Sequence, residues 1–82
     1  MFHKIKSVKP LENYTLLVYF ENEQKKEYDV ASLFDEIEVF KTLADVQGLF
    51  EQVKVDKGGY GVYWNDFIDL SCNELYSKGK AV

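Results

Sequence analysis

Asp66, Asp69 and Cys72 recur at intervals of three residues late in the chain, and with His3 they are the side chains best suited to chemistry. Two neighbouring carboxylates serve hydrolysis when their surroundings hold one protonated and the other ionised. A thiol at the start of a helix is activated when the helix amides favour its thiolate. Each residue also has a plainer role. Asp66 follows Trp64 and Asn65 at a turn, where Asx side chains bond nearby amides, and Asp69 precedes a helix, where negative charge suits the dipole. No basic or nucleophilic partner stands close enough in sequence to complete a site. His3, the sole histidine, lies in a terminal segment that is poorly suited to holding a catalytic base. Cys72 is therefore read as a small packing residue, and no catalytic residue is assigned.

Gly58 and Gly59 raise the question of a phosphate cradle. Such cradles place glycines between a strand and a helix, with Lys-Ser/Thr or a third glycine following. Here YGVYW, a strand pattern, follows instead, so the pair predicts a hairpin turn supplied with positive φ. Gly61 lies inside that strand, where a bulky neighbour, such as an aromatic ring, is expected to cross its face. Neither zinc spacing nor a twelve-residue calcium loop is present, and no metal or cofactor is expected.

The charge balance narrows the partners further. Net charge is −4, and all ten basic residues are lysine, without the planar fork that guanidinium offers phosphate and guanine. Lys4, Lys6 and Lys9 make the first ten residues basic, while ten acidic side chains crowd the stretch from Glu12 to Glu51. Lysines on a first strand more often guard a sheet edge than bind phosphate, so nucleic acid is disfavoured as a partner. The single cysteine excludes an internal disulfide, and no run approaches the ~20 apolar residues of a membrane span. The opening residues lack a secretory core, so a cytoplasmic location is expected.

The elements that must position these residues fit one domain over residues 1–82, a length with room for a single core. HKIKSV predicts a short first strand ending at Pro10. In YTLLVYF, Tyr14, Leu16, Val18 and Phe20 share one face and Thr15, Leu17 and Tyr19 the other. Both faces are largely apolar, as in a strand covered on two sides, whether by this chain or another. A turn at Glu21–Gln24 and a strand at KKEYDV follow. Leu43, Val46, Leu49 and Phe50 predict a helix of about two turns. QVKVD and YGVYW form two more strands, with Trp64 facing the core and Tyr63 outward. Ser71-Cys72-Asn73-Glu74 is a capping box with Leu70 and Leu75 as its staple, and Lys78 and Gly79 close the last helix.

Val8-Lys9-Pro10-Leu11, LLVYF, Tyr28-Asp29-Val30, Phe40 with Leu43, Leu49-Phe50, and above all Trp64-Asn65-Asp66 leading through Ile68-Asp69-Leu70-Ser71 to Glu74-Leu75-Tyr76 together resemble a small bacterial family, domain of unknown function 2442. The resemblance implies a compact α+β domain, in some members joined to a helix-turn-helix domain, and often encoded beside another small protein in toxin–antitoxin-like arrangements. It implies no activity and no cofactor. With no such DNA-binding extension after the Leu-Tyr helix, operator binding is not expected.

The expected fold is α+β, a small, mostly antiparallel sheet of about five strands with two short helices. The expected function is a non-enzymatic protein–protein interaction module, antitoxin-like or regulatory, whose partner is a second copy in a homodimer or a small toxin-like protein. Leu17, Tyr19 and Tyr63 are the candidate contacts, as parts of one apolar patch. Cover of that face by the Leu43–Phe50 helix is the alternative. The competing functions are a small enzyme or ligand-binding domain using Asp66, Asp69 or Cys72, and a nucleic-acid accessory protein using Lys4, Lys6 and Lys9.

Overall fold

The two-sided strand forms β2, Thr15–Phe20, and its inward residues Leu16, Val18 and Phe20 are almost wholly buried. The computed structural model describes residues 3–82. β2 lies between β1, Ile5–Leu11, and β3, Lys25–Asp29, antiparallel to both. β1 runs through Pro10 rather than ending there; it is the outer strand of its sheet, where a missing amide donor is tolerated. Tyr14 does not join β2. With Asn13 it adopts positive φ, 56° and 59°, in the tight β1–β2 connection, and its ring packs edge-on against Phe34 and Phe50. The predicted β2–β3 turn is closed by an Asx contact, Asn22 Oδ1 accepting from the Gln24 amide at 3.1 Å.

Residues 30–53 form a chain of short 3-10 turns around α1, Thr42–Asp45, which is one turn long instead of two. Val46 is already extended, so the chain leaves the helix before Gly48. Leu43 and Phe50 reach the core as the pattern predicted, whereas Val46 is half exposed. These turns fill the inner side, where Phe50 stacks on Trp64 and Phe40 meets Trp64 edge-on.

β4, Lys54–Val55, β5, Gly61–Asn65, and β6, Ile68–Ser71, make a second antiparallel sheet. α2, Cys72–Lys78, follows, and β7, Lys80–Ala81, pairs with β3 to complete the order β1-β2-β3-β7 in the first. The class is therefore α+β, with two sheets of four and three strands in place of one of about five. β6 escapes a helical reading because Ile68 and Leu70 alternate with Asp69 and Ser71, a period of two in a stretch too short to separate from a helix lead-in. Both sheets turn their inner sides to one core, to which Leu16, Val18, Phe20 and Tyr28 contribute from the first and Val62, Trp64, Ile68 and Leu70 from the second.

α2 joins the two sheets. Ser71 Oγ accepts from the Glu74 amide at 3.1 Å as the capping box requires, and Leu70 and Leu75 are buried. The Glu74 carboxylate does not return to the cap; Oε2 accepts from the Tyr28 hydroxyl on β3 at 2.8 Å. Tyr76, two residues further on, stacks on the His3 ring at 3.7 Å, meets Phe20 edge-on and lies 4.0 Å below the Lys26 ammonium. Its hydroxyl accepts from Asn22, and its carbonyl accepts from Lys26.

Burial, with the hydrogen bond to Glu74 and that carboxylate's charge, pushes the Tyr28 phenol well above the usual tyrosine range. A folded-state value above the unfolded one means this contribution is complete below about pH 10 and is lost as pH rises from there toward the folded value. Tyr28→Phe is expected to cost about 1 kcal/mol near neutrality and to lessen the fall in stability at higher pH. Urea midpoints of both proteins near pH 7 and pH 11 check this; an equal deficit at both would contradict it.

Candidate functional site

The β5–β6 hairpin is held by Asn65, whose Oδ1 accepts from the amides of Phe67 and Ile68 at 2.8 and 3.0 Å. Asn65, not Asp66, supplies the turn contact expected of an Asx residue here. A register irregularity between Tyr63 and Asn65 gives β5 one extra residue, Trp64, which is buried while its indole Nε1–H donates to the Phe50 carbonyl at 2.9 Å. Tyr63 stays outward and 37% exposed. At the tip Phe67 is 81% exposed, on a backbone that two hydrogen bonds fix. Tyr60, at the other end of β5, is 57% exposed.

The loop before β5 answers the phosphate question. Asp56 Oδ1 accepts from the amides of Gly58 and Tyr60 at 3.2 and 2.8 Å, and its carbonyl accepts from the Gly59 amide at 3.1 Å. All three amides that could face an anion are thus turned to a carboxylate residue, the reverse of an anion cradle. Gly59 has the expected positive φ, 75°, and its carbonyl accepts from the Ile5 amide at 2.8 Å, tying the loop to β1. At Gly61 the close neighbour is backbone, not an aromatic ring: a β-carbon there would stand 2.5 Å from the Leu70 carbonyl oxygen.

Between these features lies an open depression of about 460 Å³ on the outward side of the second sheet. Tyr60 and Tyr63 border it with Gly61, and Asp56, Asp66 and Asp69 line it. Asp69 is in mid-strand opposite Tyr63, not at a helix start, so its charge serves this surface and not the α2 dipole. Asp66 and Asp69 therefore do share a surface. Cys72 does not join them: it is buried, and its thiol donates to the His3 carbonyl at 2.8 Å. Burial, then the charge of Asp56, raises the thiol pKa, outweighing any help from a helix of seven residues. The His3 ring stacks on Tyr76, and it is the His3 backbone carbonyl, not the imidazole, that meets the thiol. Among the described residues no group of His, Cys, Asp and Glu is arranged to hold a metal ion.

Leu17 and Tyr19 belong to β2 of the first sheet and Tyr63 to β5 of the second. Leu17 and Tyr19 lie on the outward side of the first sheet and Tyr63 on that of the second, and the two sheets share a core on their inner sides. Leu17 sits between Lys9 and Glu27, and Tyr19 between Ser7 and Lys25, whose ammonium lies 5.6 Å from its ring. Aliphatic stems of such residues shield apolar neighbours, which accounts for a strand apolar on both sides without a second layer. The Leu43–Phe50 segment does not cover this face, because it packs in the core beside Trp64. Lys6 and Lys9 are exposed on β1, the outer strand, and the Lys4 ammonium lies 5.7 Å from the Tyr60 ring. Phe67 and Tyr60 are exposed aromatic residues that sequence pattern does not single out, because their exposure depends on how the β5–β6 turn and the loop before β5 fold.

The family described as Protein of unknown function (DUF2442) matches residues 5–81, nearly the whole chain, and the chain belongs to it. No curated protein and no solved structure matches.

Proposed function

We propose that this family member is a non-enzymatic interaction module that buries the outward side of its β4–β6 sheet against a second polypeptide, as an antitoxin-like or regulatory partner of a small protein encoded beside it. The observation that carries the reading is Phe67, 81% exposed at the tip of a hairpin whose turn is fixed by Asn65. Holding a large apolar ring in water on a rigid turn forgoes roughly 1.5–3 kcal/mol that burial would return. Rigid aromatic anchors of this kind cost little entropy when a partner covers them. Tyr63 on β5 and Tyr60 just before it add exposed aromatic surface bordering the same depression. Leu17 and Tyr19 on the other sheet are a lesser, second contact, suited to a homodimer.

The test is co-expression with the neighbour-encoded protein and quantitative co-purification. Phe67→Ser and Tyr63→Lys are expected to weaken the complex by about tenfold or more each while leaving the thermal transition in place. Unchanged complexes with both variants would refute this surface. The shared depression gives some support to the rival reading of a ligand-binding domain at Asp66 and Asp69, but an enzyme there would lack the buried Cys72 as nucleophile.

A further inference from the structure

We propose that the outward side of the β4–β6 sheet takes a lysine- or arginine-rich segment of a different protein, an inference that rests on the interaction-module reading and names the chemistry of the partner. Carboxylates and aromatic rings share this surface: the Asp56 carboxylate accepts from the Tyr60 amide, Asp69 stands opposite Tyr63, and Asp66 lines the same depression, with Phe67 following it at the hairpin tip. Of the strand residues facing the same way only Lys54, which pairs with Tyr63, carries positive charge. Basic side chains laid here can set a charged head against a carboxylate or over an aromatic face, the charge-assisted and cation–π contacts that such a surface offers. The chain itself places one ammonium at this rim, Lys4 at 5.7 Å from the Tyr60 ring.

A second copy fits less well. Each copy carries a net charge of −4, so approach is opposed at long range, whereas a basic partner is steered in. The copy's own lysines on β1 lie on the other sheet, so they would reach the depression only head to tail, an arrangement that closes a ring at special angles and otherwise polymerises. A different, cationic polypeptide has neither difficulty.

The probe is a lysine decapeptide, with a glutamate decapeptide as control, titrated into the intact protein and followed by backbone amide NMR. The expected result is that shifts cluster between residues 60 and 70 with the lysine peptide only. Binding is expected to weaken about tenfold in the Asp66→Asn/Asp69→Asn double variant and to fall with added salt. Both aspartates are exposed, so the variant is expected to keep its fold, which its thermal melt verifies. Shifts centred on Leu17 and Tyr19, no binding at millimolar peptide, equal binding by the double variant, or self-association through this face would each overturn the proposal. The co-purified complex separates the two readings. Loss with Phe67→Ser but indifference to the double aspartate variant removes the basic partner and keeps the interaction module, while indifference to both removes the two together.

Discussion

Trp64→Ala is expected to cost about 3–5 kcal/mol and to leave the protein largely unfolded under mild denaturant, measured as the loss of a cooperative urea transition. The indole is where the two halves of the core meet. It stacks on Phe50 and meets Phe40 edge-on, both from the irregular segment between the sheets, and its Nε1–H satisfies the Phe50 carbonyl at 2.9 Å. Removing the ring opens a cavity in a chain with few alternative ways to close it and leaves that buried carbonyl unpaired. Trp64→Phe separates the two contributions. It keeps most of the packing but not the donor, and is expected to cost about 1–3 kcal/mol, the desolvation cost of the orphaned carbonyl. A phenylalanine variant as unstable as the alanine variant would mean that the hydrogen bond, not the ring volume, holds Phe50 in place.

Gly61→Ala is expected to destabilise by about 1–3 kcal/mol or more, although alanine is among the smallest of changes. The added β-carbon would stand 2.5 Å from the Leu70 carbonyl oxygen and 3.3 Å from the Ser71 Cα, and both are backbone atoms of the paired strand. No rotamer relieves such a clash. β6 must move away from β5, and with it Leu70, Cys72 and the start of α2. Differential scanning calorimetry of the variant would show a lowered transition, and amide NMR would place the largest shifts in residues 61–72. A transition equal to that of the parent would show that the strands tolerate the separation without loss. Because Gly61 also borders the depression, the same variant should weaken binding at that surface even where it remains folded.

The parts of this fold that could be read from sequence are those in which one residue type has one physical use. The Ser71 cap, the burial of Leu70 and Leu75, the inward set of Leu16, Val18 and Phe20, and the buried indole all follow from local hydrogen bonding or strand alternation. What was not legible depends on partners distant in sequence. Asp69 reads as a helix-dipole residue until β6 gives it Tyr63 as a neighbour, and Lys80–Ala81, beyond the helix stop at Gly79, has no strand signal of its own and forms one only by pairing with β3. Glu74 offered the local signal of a reciprocal cap, but Tyr28, 46 residues away, took its carboxylate. The candidate surface was only half visible for the same reason. Tyr63 could be placed outward by alternation, whereas the exposure of Phe67 and the grouping of Asp56 with Asp66 and Asp69 exist only once the hairpin and the preceding loop are folded beside each other.

The contacts of Tyr76 link the two ends of the chain mechanically. One ring is clasped by His3 before the first strand, by Phe20 and Asn22 at the β2–β3 turn, and by Lys26 on β3, while it is itself anchored in the last helix. Segments remote in sequence are thereby fastened at one rivet, so the lead-in to the first strand and the final helix should open as one cooperative unit in native-state hydrogen exchange rather than fray independently.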